Sequence, residues 1–248
     1  MESVNQFFVI SALIFFRLLP IIIVSPIMML RRVPVLVRVI LGVSLAIILA
    51  AGYSDTVNNV HFIFNWGSLI SEFVIGMILA FGFHAAQGSM QVMGHVIDQQ
   101  IGFAAATVFD PASEQMHSLI GELMVLMVLV TFLSLDIHHK LLLGIASTIH
   151  LIPLGQAVNI NIEGIWQILG IQFAVAFALA CPVILSLWLV DVILALASRS
   201  LPQANIYFVA MPVKIAIGLI LIVWLTSYVL PHLAHMFELI FNNWITLF

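Results

Sequence analysis

The chain has 248 residues, of which 63% are hydrophobic and only 7% charged, and its formal net charge is −4. A soluble domain carries about 25% charged residues, which cover its water-facing surface. The composition therefore argues against a soluble enzyme and predicts an integral membrane protein. The few basic residues form no run, so we expect no nucleic-acid binding, which needs clustered lysine and arginine.

Long apolar stretches follow one another along the chain. A helix needs roughly 20 mainly apolar residues to cross the hydrocarbon core. We predict six or seven such helices, joined by short polar connections, and hence an all-α membrane protein whose long hydrophobic helices and hairpins are kinked by prolines. The stretches are 3–30, 39–54, 73–97, 123–135, 141–162, 164–190 and 215–237.

Orientation in the membrane can be predicted from basic residues near helix ends. Arg31, Arg32 and Arg38 place the first connection in the cytoplasm. By the same rule Lys140 and Arg199 are cytoplasmic, which simple alternation of six crossings does not allow. A further crossing or re-entry within 84–118 would restore agreement.

A short apolar stretch at 101–109 lies inside that region, between Asp98 and Asp110. It is too short for an ordinary membrane span. Non-helical backbone at membrane depth is tolerated only where it is buried in protein or lines a cavity. Residues 98–113 are therefore predicted to form a pore or plug loop.

Ionisable residues interrupt the apolar stretches, although each costs about 2.5 to 3.5 kcal/mol on insertion scales. They either belong to structural ion pairs and helix ends or border a transport path. These residues are Arg17, Glu72, Glu122, Asp191 and Lys214.

A second polar feature has helical spacing. Its members follow at intervals of three or four residues, which puts them on one helix face. Such a face forms interhelical hydrogen bonds or borders an aqueous conduit. The stripe comprises His84, Gln87, Gln91, His95 and Asp98.

Sequence motifs for catalysis, metal binding or cofactor binding are not found. The single cysteine, Cys181, lies in an apolar run and is expected to be a buried small hydrophobe. The histidines lack the spacing and the partner ligands of a metal site. We therefore expect no enzymatic activity, metal or cofactor.

The stretch 198–218 has a distinctive pattern at the start of the last hydrophobic helix. It reads Ser-Arg-Ser-Leu-Pro-Gln-Ala-Asn-Ile-Tyr-Phe-Val-Ala-Met-Pro-Val-Lys-Ile-Ala-Ile-Gly. This resembles the signature of the FliR family of flagellar export-gate proteins, with Ala204 in place of the usual Met and Tyr207 in place of the usual Phe. The matching positions are Arg199, Pro202, Gln203, Asn205, Pro212, Lys214 and Gly218.

The resemblance covers nearly the whole chain. It extends to the proline-broken first helix, to a Glu-x-x-x-Gly sequence in the third, and to the central loop. These matches are Arg17, Pro20, Pro26, Glu72, Gly76, Gln100, Gly102, Asp110 and Pro111.

The resemblance implies that residues 1–248 form a single FliR-like domain within a helical export-gate assembly. Such a subunit joins FliP and FliQ around a pore in the bacterial inner membrane, at the flagellar basal body. FlhB would wrap the entrance, FlhA would couple energy, and unfolded flagellar subunits would pass through.

Two groups of residues have roles implied by the resemblance. The central loop, about 101–113, would plug the pore. The signature in residues 198–218 would hold the subunit in the export-gate assembly. The plug candidates are Gly102, Phe103, Phe109, Asp110 and Pro111.

Two alternatives stay open. The virulence-injectisome counterpart shares the fold and mechanism, but the Pro-Gln-x-Asn form favours the flagellar branch. A secondary transporter for a small solute would need a substrate site at broken helices, and Pro20, Pro153 and Pro182 supply breaks.

Overall fold

The computed structural model describes residues 2–23, 33–54, 65–103, 118–156, 160–200 and 206–244. These residues form seven helices and no strand, which confirms the all-α prediction. Each predicted apolar stretch corresponds to one helix. The helices are α1 (Glu2–Ile23), α2 (Val35–Ser54), α3 (Trp66–Ile101), α4 (Leu119–Ser134), α5 (Ile137–Leu151), α6 (Ile162–Ser200) and α7 (Ile206–Trp244).

Five of these helices are long and apolar enough to cross a membrane, and a sixth span results if α4 and α5 count as one broken span. α3 has 36 residues, and α6 and α7 have 39 each. At 1.5 Å per residue these helices are about 54 to 58 Å long. They exceed the hydrocarbon core, which is about 30 Å thick, so their ends extend beyond it.

Several predicted boundaries differ from those of the helices: α6 extends past the predicted end at 190, and α7 begins before the predicted start at 215. Two further differences have a clear physical reason. The predicted loop 98–113 begins too early, because α3 stays helical through Ile101 and ends at Gly102, whose φ is 98°. The stretch 141–162 is not one kinked helix, because α5 ends at Leu151. Ile152 precedes Pro153 and adopts the extended backbone (φ −121°, ψ 97°) that proline imposes on its neighbour.

The chain divides into two compact units. Unit 1 comprises Met1–His84, Asp136–Ile168 and Leu239–Phe248, and unit 2 comprises Ala85–Leu135 and Leu169–Glu238. In unit 1, α1 packs against α2, and Gly42 of α2 lies close to Phe15 and Ile22 of α1. In unit 2, Phe132 of α4 packs edge-on against Phe237 of α7.

Burial differs strongly between the helices. In α3, 61% of the most apolar stretch is buried, against 28% in α6 and 22% in α7. Large side chains such as Trp188, Ile220 and Val223 lie on the surface of these last two helices. Apolar surface of this extent is typical of contact with lipid or with other protein subunits.

Candidate functional site

Arg17 of α1 is fully buried in unit 1 and makes three side-chain contacts. Its Nε donates to Oε2 of Glu72 on α3 at 2.6 Å, and neither side chain is exposed. One terminal nitrogen donates to Oγ1 of Thr148 at 3.4 Å, and the other to the carbonyl oxygen of Ile152 at 3.1 Å. The guanidinium therefore joins α1, α3 and the end of α5.

The second carboxylate oxygen of Glu72 binds the turn that follows α5. It accepts a hydrogen bond from the backbone N–H of Gly155 at 2.8 Å. Gly155 has φ 78°, a conformation that a glycine adopts without steric penalty. Ser68 and Ser71, also on α3, donate to the carbonyl oxygens of Gly155 and Gln156 at 3.2 and 2.5 Å. Arg17 and Glu72 thus form a hydrogen-bonded structural ion pair inside the unit.

Gly76 lies one helical turn after Glu72, on the same face of α3. A Cβ atom at this position would overlap the carbonyl oxygen of Arg17 and lie 2.9 Å from Cδ of Pro20. The Glu-x-x-x-Gly sequence therefore meets Arg17 twice. Glu72 binds its side chain, and Gly76 leaves room for its backbone.

The second ion pair lies in unit 2. Nζ of Lys214 on α7 lies 2.7 Å from Oδ1 and 2.9 Å from Oδ2 of Asp191 on α6. The side chains are 16% and 43% exposed, respectively. Lys214 therefore has a partner in its own chain, while the carboxylate reaches the surface.

The remaining predicted charges and signature residues lie near helix ends. Glu122 is half-buried in the first turn of α4, and Arg199 is exposed in the last turn of α6. Both positions are favourable for these charges because of the helix dipole. Pro212 is exposed within α7 and Gly218 is buried there. The signature residues Pro202, Gln203 and Asn205 lie outside the described residues.

The polar stripe lies on α3, as its spacing predicts, but its environment is not uniform. Gln91 and His95 are exposed, whereas Gln87 and Asp98 are buried. The Asp98 carboxylate accepts from the backbone N–H of Ile120 at the start of α4, at 3.3 and 3.4 Å. At Asp98, the polar stripe therefore makes a contact between α3 and α4.

The plug candidates are only partly described. Gly102 ends α3, and Phe103 follows it with a half-buried side chain. Phe109, Asp110 and Pro111 lie outside the described residues. Cys181 is half-buried, so the prediction of a buried side chain is wrong. Among the described residues, no group of three His, Cys, Asp or Glu side chains is placed to hold a metal ion.

Comparison with known proteins identifies the family. Residues 8–240 match the family described as bacterial export proteins, family 1. The chain belongs to this family.

Three relatives are similar to this chain over most of their length. The flagellar biosynthetic protein FliR of Bacillus subtilis (strain 168) is 29% identical over 96% of this chain and 94% of its own. FliR of Escherichia coli (strain K12) is 29% identical over 91% of this chain and 87% of its own. The surface presentation of antigens protein SpaR of Shigella flexneri is 26% identical over 89% of this chain and 86% of its own.

Membership confirms the resemblance found in the sequence. The chain is an export-family protein with flagellar relatives and several apolar helices, which implies a membrane location. The family 1 export proteins are an export-apparatus family and not a known enzyme family.

Several residues that organise this family 1 export protein were missed in the sequence. Thr148 and Gly155 complete the Arg17 cluster, and Gly94 lies against Gly121 where α3 meets α4. The Pro-Leu-Gly sequence at 153–155 was a usable signal, since proline and glycine together mark turns. The two glycines at 94 and 121 carry no such signal, because only the fold brings them together.

Proposed function

We propose that the chain is a non-catalytic subunit of the flagellar type III export gate. With FliP and FliQ it lines the pore through which unfolded flagellar subunits cross the inner membrane, at the flagellar basal body. FlhB surrounds the entrance and FlhA couples the energy. The observation that carries this proposal is similarity to a FliR protein over 96% of the chain.

The exposed helices support a subunit that works inside an assembly. α6 and α7 leave most of their apolar surface uncovered, and this surface includes tryptophans at 188 and 224. In the proposed gate, partner subunits cover much of it, and lipid covers the rest. Residues 1–248 act there as one FliR-like domain.

The segment 101–113 is proposed as the plug of this pore, with Gly102, Phe103, Phe109, Asp110 and Pro111 as its principal residues. Bulky apolar side chains in a narrow ring can close a pore by excluding water. Phenylalanines at 103 and 109 would supply them.

Deleting residues 103–109 is expected to leave the gate assembled but open to ions. The complex, purified with FliP and FliQ and reconstituted into planar bilayers, should show a conductance well above that of the unchanged complex. Subunit content before reconstitution serves as the control for assembly. Equal conductance of the two complexes would refute the plug.

Replacing Lys214 with methionine is expected to reduce the FliP and FliQ content of the purified complex. The change leaves Asp191, whose side chain is 43% exposed, without its cation. A pair this exposed contributes only about 0 to 1 kcal/mol within the chain, so the loss is expected where a partner subunit covers the unpaired carboxylate. Asp191→Asn should have a similar effect, since it removes the other charge. Full FliP and FliQ content with Lys214→Met would show that the pair has no role in assembly.

The injectisome counterpart is the second candidate, and similarity to SpaR supports it. The FliR proteins of two bacteria are more similar to this chain, at 29% against 26% identity. Restoration of motility, or of effector secretion, in a matching deletion strain would separate the two. A small-solute transporter, in contrast, should remain stable in detergent without any partner.

A further inference from the structure

The end of α3 is seated on α7 at Gly218. A Cβ atom added to Gly218 would lie 2.6 Å from Cγ1 and 2.7 Å from Cδ1 of Ile101. Ile101 is 1% exposed, so its side chain is enclosed at this contact. The Ile101 side chain therefore occupies the space that any side chain at position 218 would need.

Gly102 lies against the same helix. A Cβ atom there would be 3.6 Å from Cε of Met211, which precedes Gly218 by two helical turns and lies on the same face of α7. The N–H groups of Gly102 and Phe103 both donate to the Asp98 carbonyl oxygen, at 3.1 and 3.2 Å. This bonding, with a glycine at positive φ, is a common way to end a helix. We call Met211 and Gly218 the α7 seat.

The other flank of residues 104–117 is fixed to α3 as well. A Cβ atom at Gly94 would lie 2.5 Å from Cα of Gly121, so the backbones of α3 and α4 are in direct contact. The Asp98 carboxylate accepts from Ile120 N–H, and Ser118 caps α4 by accepting from Gly121 N–H at 2.8 Å. Asp98 thus binds both flanks, one through its backbone and the other through its side chain.

We infer that Gly218 is a positioning residue that fixes where the chain leaves the end of α3, at Ile101 and Gly102. The signature around it then has an internal role, in addition to the assembly role that the resemblance implies. The inference about Ile101 and Gly102 rests only on contacts within the part of the chain that the structure describes. Any effect of a Gly218 substitution on ion conductance rests, in addition, on the proposed plug.

The test combines a size change with its compensation. Gly218→Val should displace Ile101 and raise hydrogen exchange of the Gly102 and Phe103 amides roughly tenfold or more, the factor that corresponds to about 1.4 kcal/mol. Adding Ile101→Ala should restore slow exchange, because it vacates the space that the valine fills. The complex purified with FliP and FliQ is used throughout, with hydrogen exchange read by mass spectrometry and conductance in bilayers.

A matched control lies in the same unit. Gly170 of α6 has no atom within 4 Å of an added Cβ, so Gly170→Ala should change neither exchange nor conductance. If Gly218→Val yields no complex, Gly218→Ala makes the same comparison with a smaller group.

The outcomes separate the two proposals. Unchanged exchange in Gly218→Val, or no rescue by Ile101→Ala, would overturn the α7 seat. Faster exchange with unchanged conductance, while the deletion of 103–109 does conduct, would show that the seat does not position the plug. If the deletion itself does not conduct, the plug proposal fails, and the rescue of exchange still supports the seat.

Discussion

Replacing Glu72 with alanine is expected to lower the free energy of unfolding by about 3 to 5 kcal/mol, the usual cost of removing one member of a buried ion pair. The change leaves the fully buried Arg17 without its carboxylate and the N–H of Gly155 without its acceptor. The loss of stability can be measured by SDS titration, in mixed micelles, of the complex purified with FliP and FliQ.

Two further variants separate charge from hydrogen bonding. Glu72→Gln keeps an acceptor for Gly155 and removes the charge, so its loss of stability should be smaller than that of Glu72→Ala. Glu163, an exposed residue in the first turn of α6, provides the matched control. Glu163→Gln should change stability by no more than about 1 kcal/mol, the usual upper value for an exposed carboxylate in the first turn of a helix.

Arg17→Met, Glu72→Leu and the double variant form a double-mutant cycle. Replacing a whole buried pair with apolar residues of similar size is often far less costly than removing one member. The double variant should therefore be more stable than the sum of the two single losses predicts. Strict additivity would show that the two side chains do not stabilise each other.

Replacing Gly76 with alanine is expected to destabilise the same helix crossing, by about 1 to 3 kcal/mol or more, the typical cost of overpacking. The added methyl group would overlap the backbone oxygen of Arg17 and crowd Pro20. A backbone atom cannot rotate away as a side chain can, so α1 would have to shift. SDS titration of the complex purified with FliP and FliQ measures this loss of stability.

Gly170→Ala is the control for this substitution. It makes the same chemical change in a helix interior where no neighbouring atom interferes. Alanine is preferred over glycine there by about 1 kcal/mol, so stability should rise or stay unchanged. Equal effects at positions 76 and 170 would contradict the close crossing of α1 and α3.

The apolar stretches predicted the helices well, because lipid requires long segments with satisfied backbone hydrogen bonds. Their ends were less accurate. The apolar stretch ends at residue 97, but α3 continues to Ile101, because the polar residues that follow still belong to the helix. α5 ends at Leu151, because the residue before Pro153 is forced into an extended conformation.

The pairing of the charges could not be predicted from the sequence. The cost of burying Arg17 and Glu72 indicated that each needs a partner, but 55 residues separate them and several carboxylates were available. Lys214 likewise had several candidate partners, and only the packing of α6 against α7 selects Asp191. Close contacts such as that of Gly218 with Ile101 depend on the fold in the same way.

Native mass spectrometry can show whether this chain is a partner-dependent subunit of an export gate. The tagged chain is expressed alone, and together with FliP and FliQ from the same genome. We expect one stable complex that contains all three proteins, and no stable species for the chain alone. A monodisperse chain that is stable in detergent and binds neither FliP nor FliQ would contradict it.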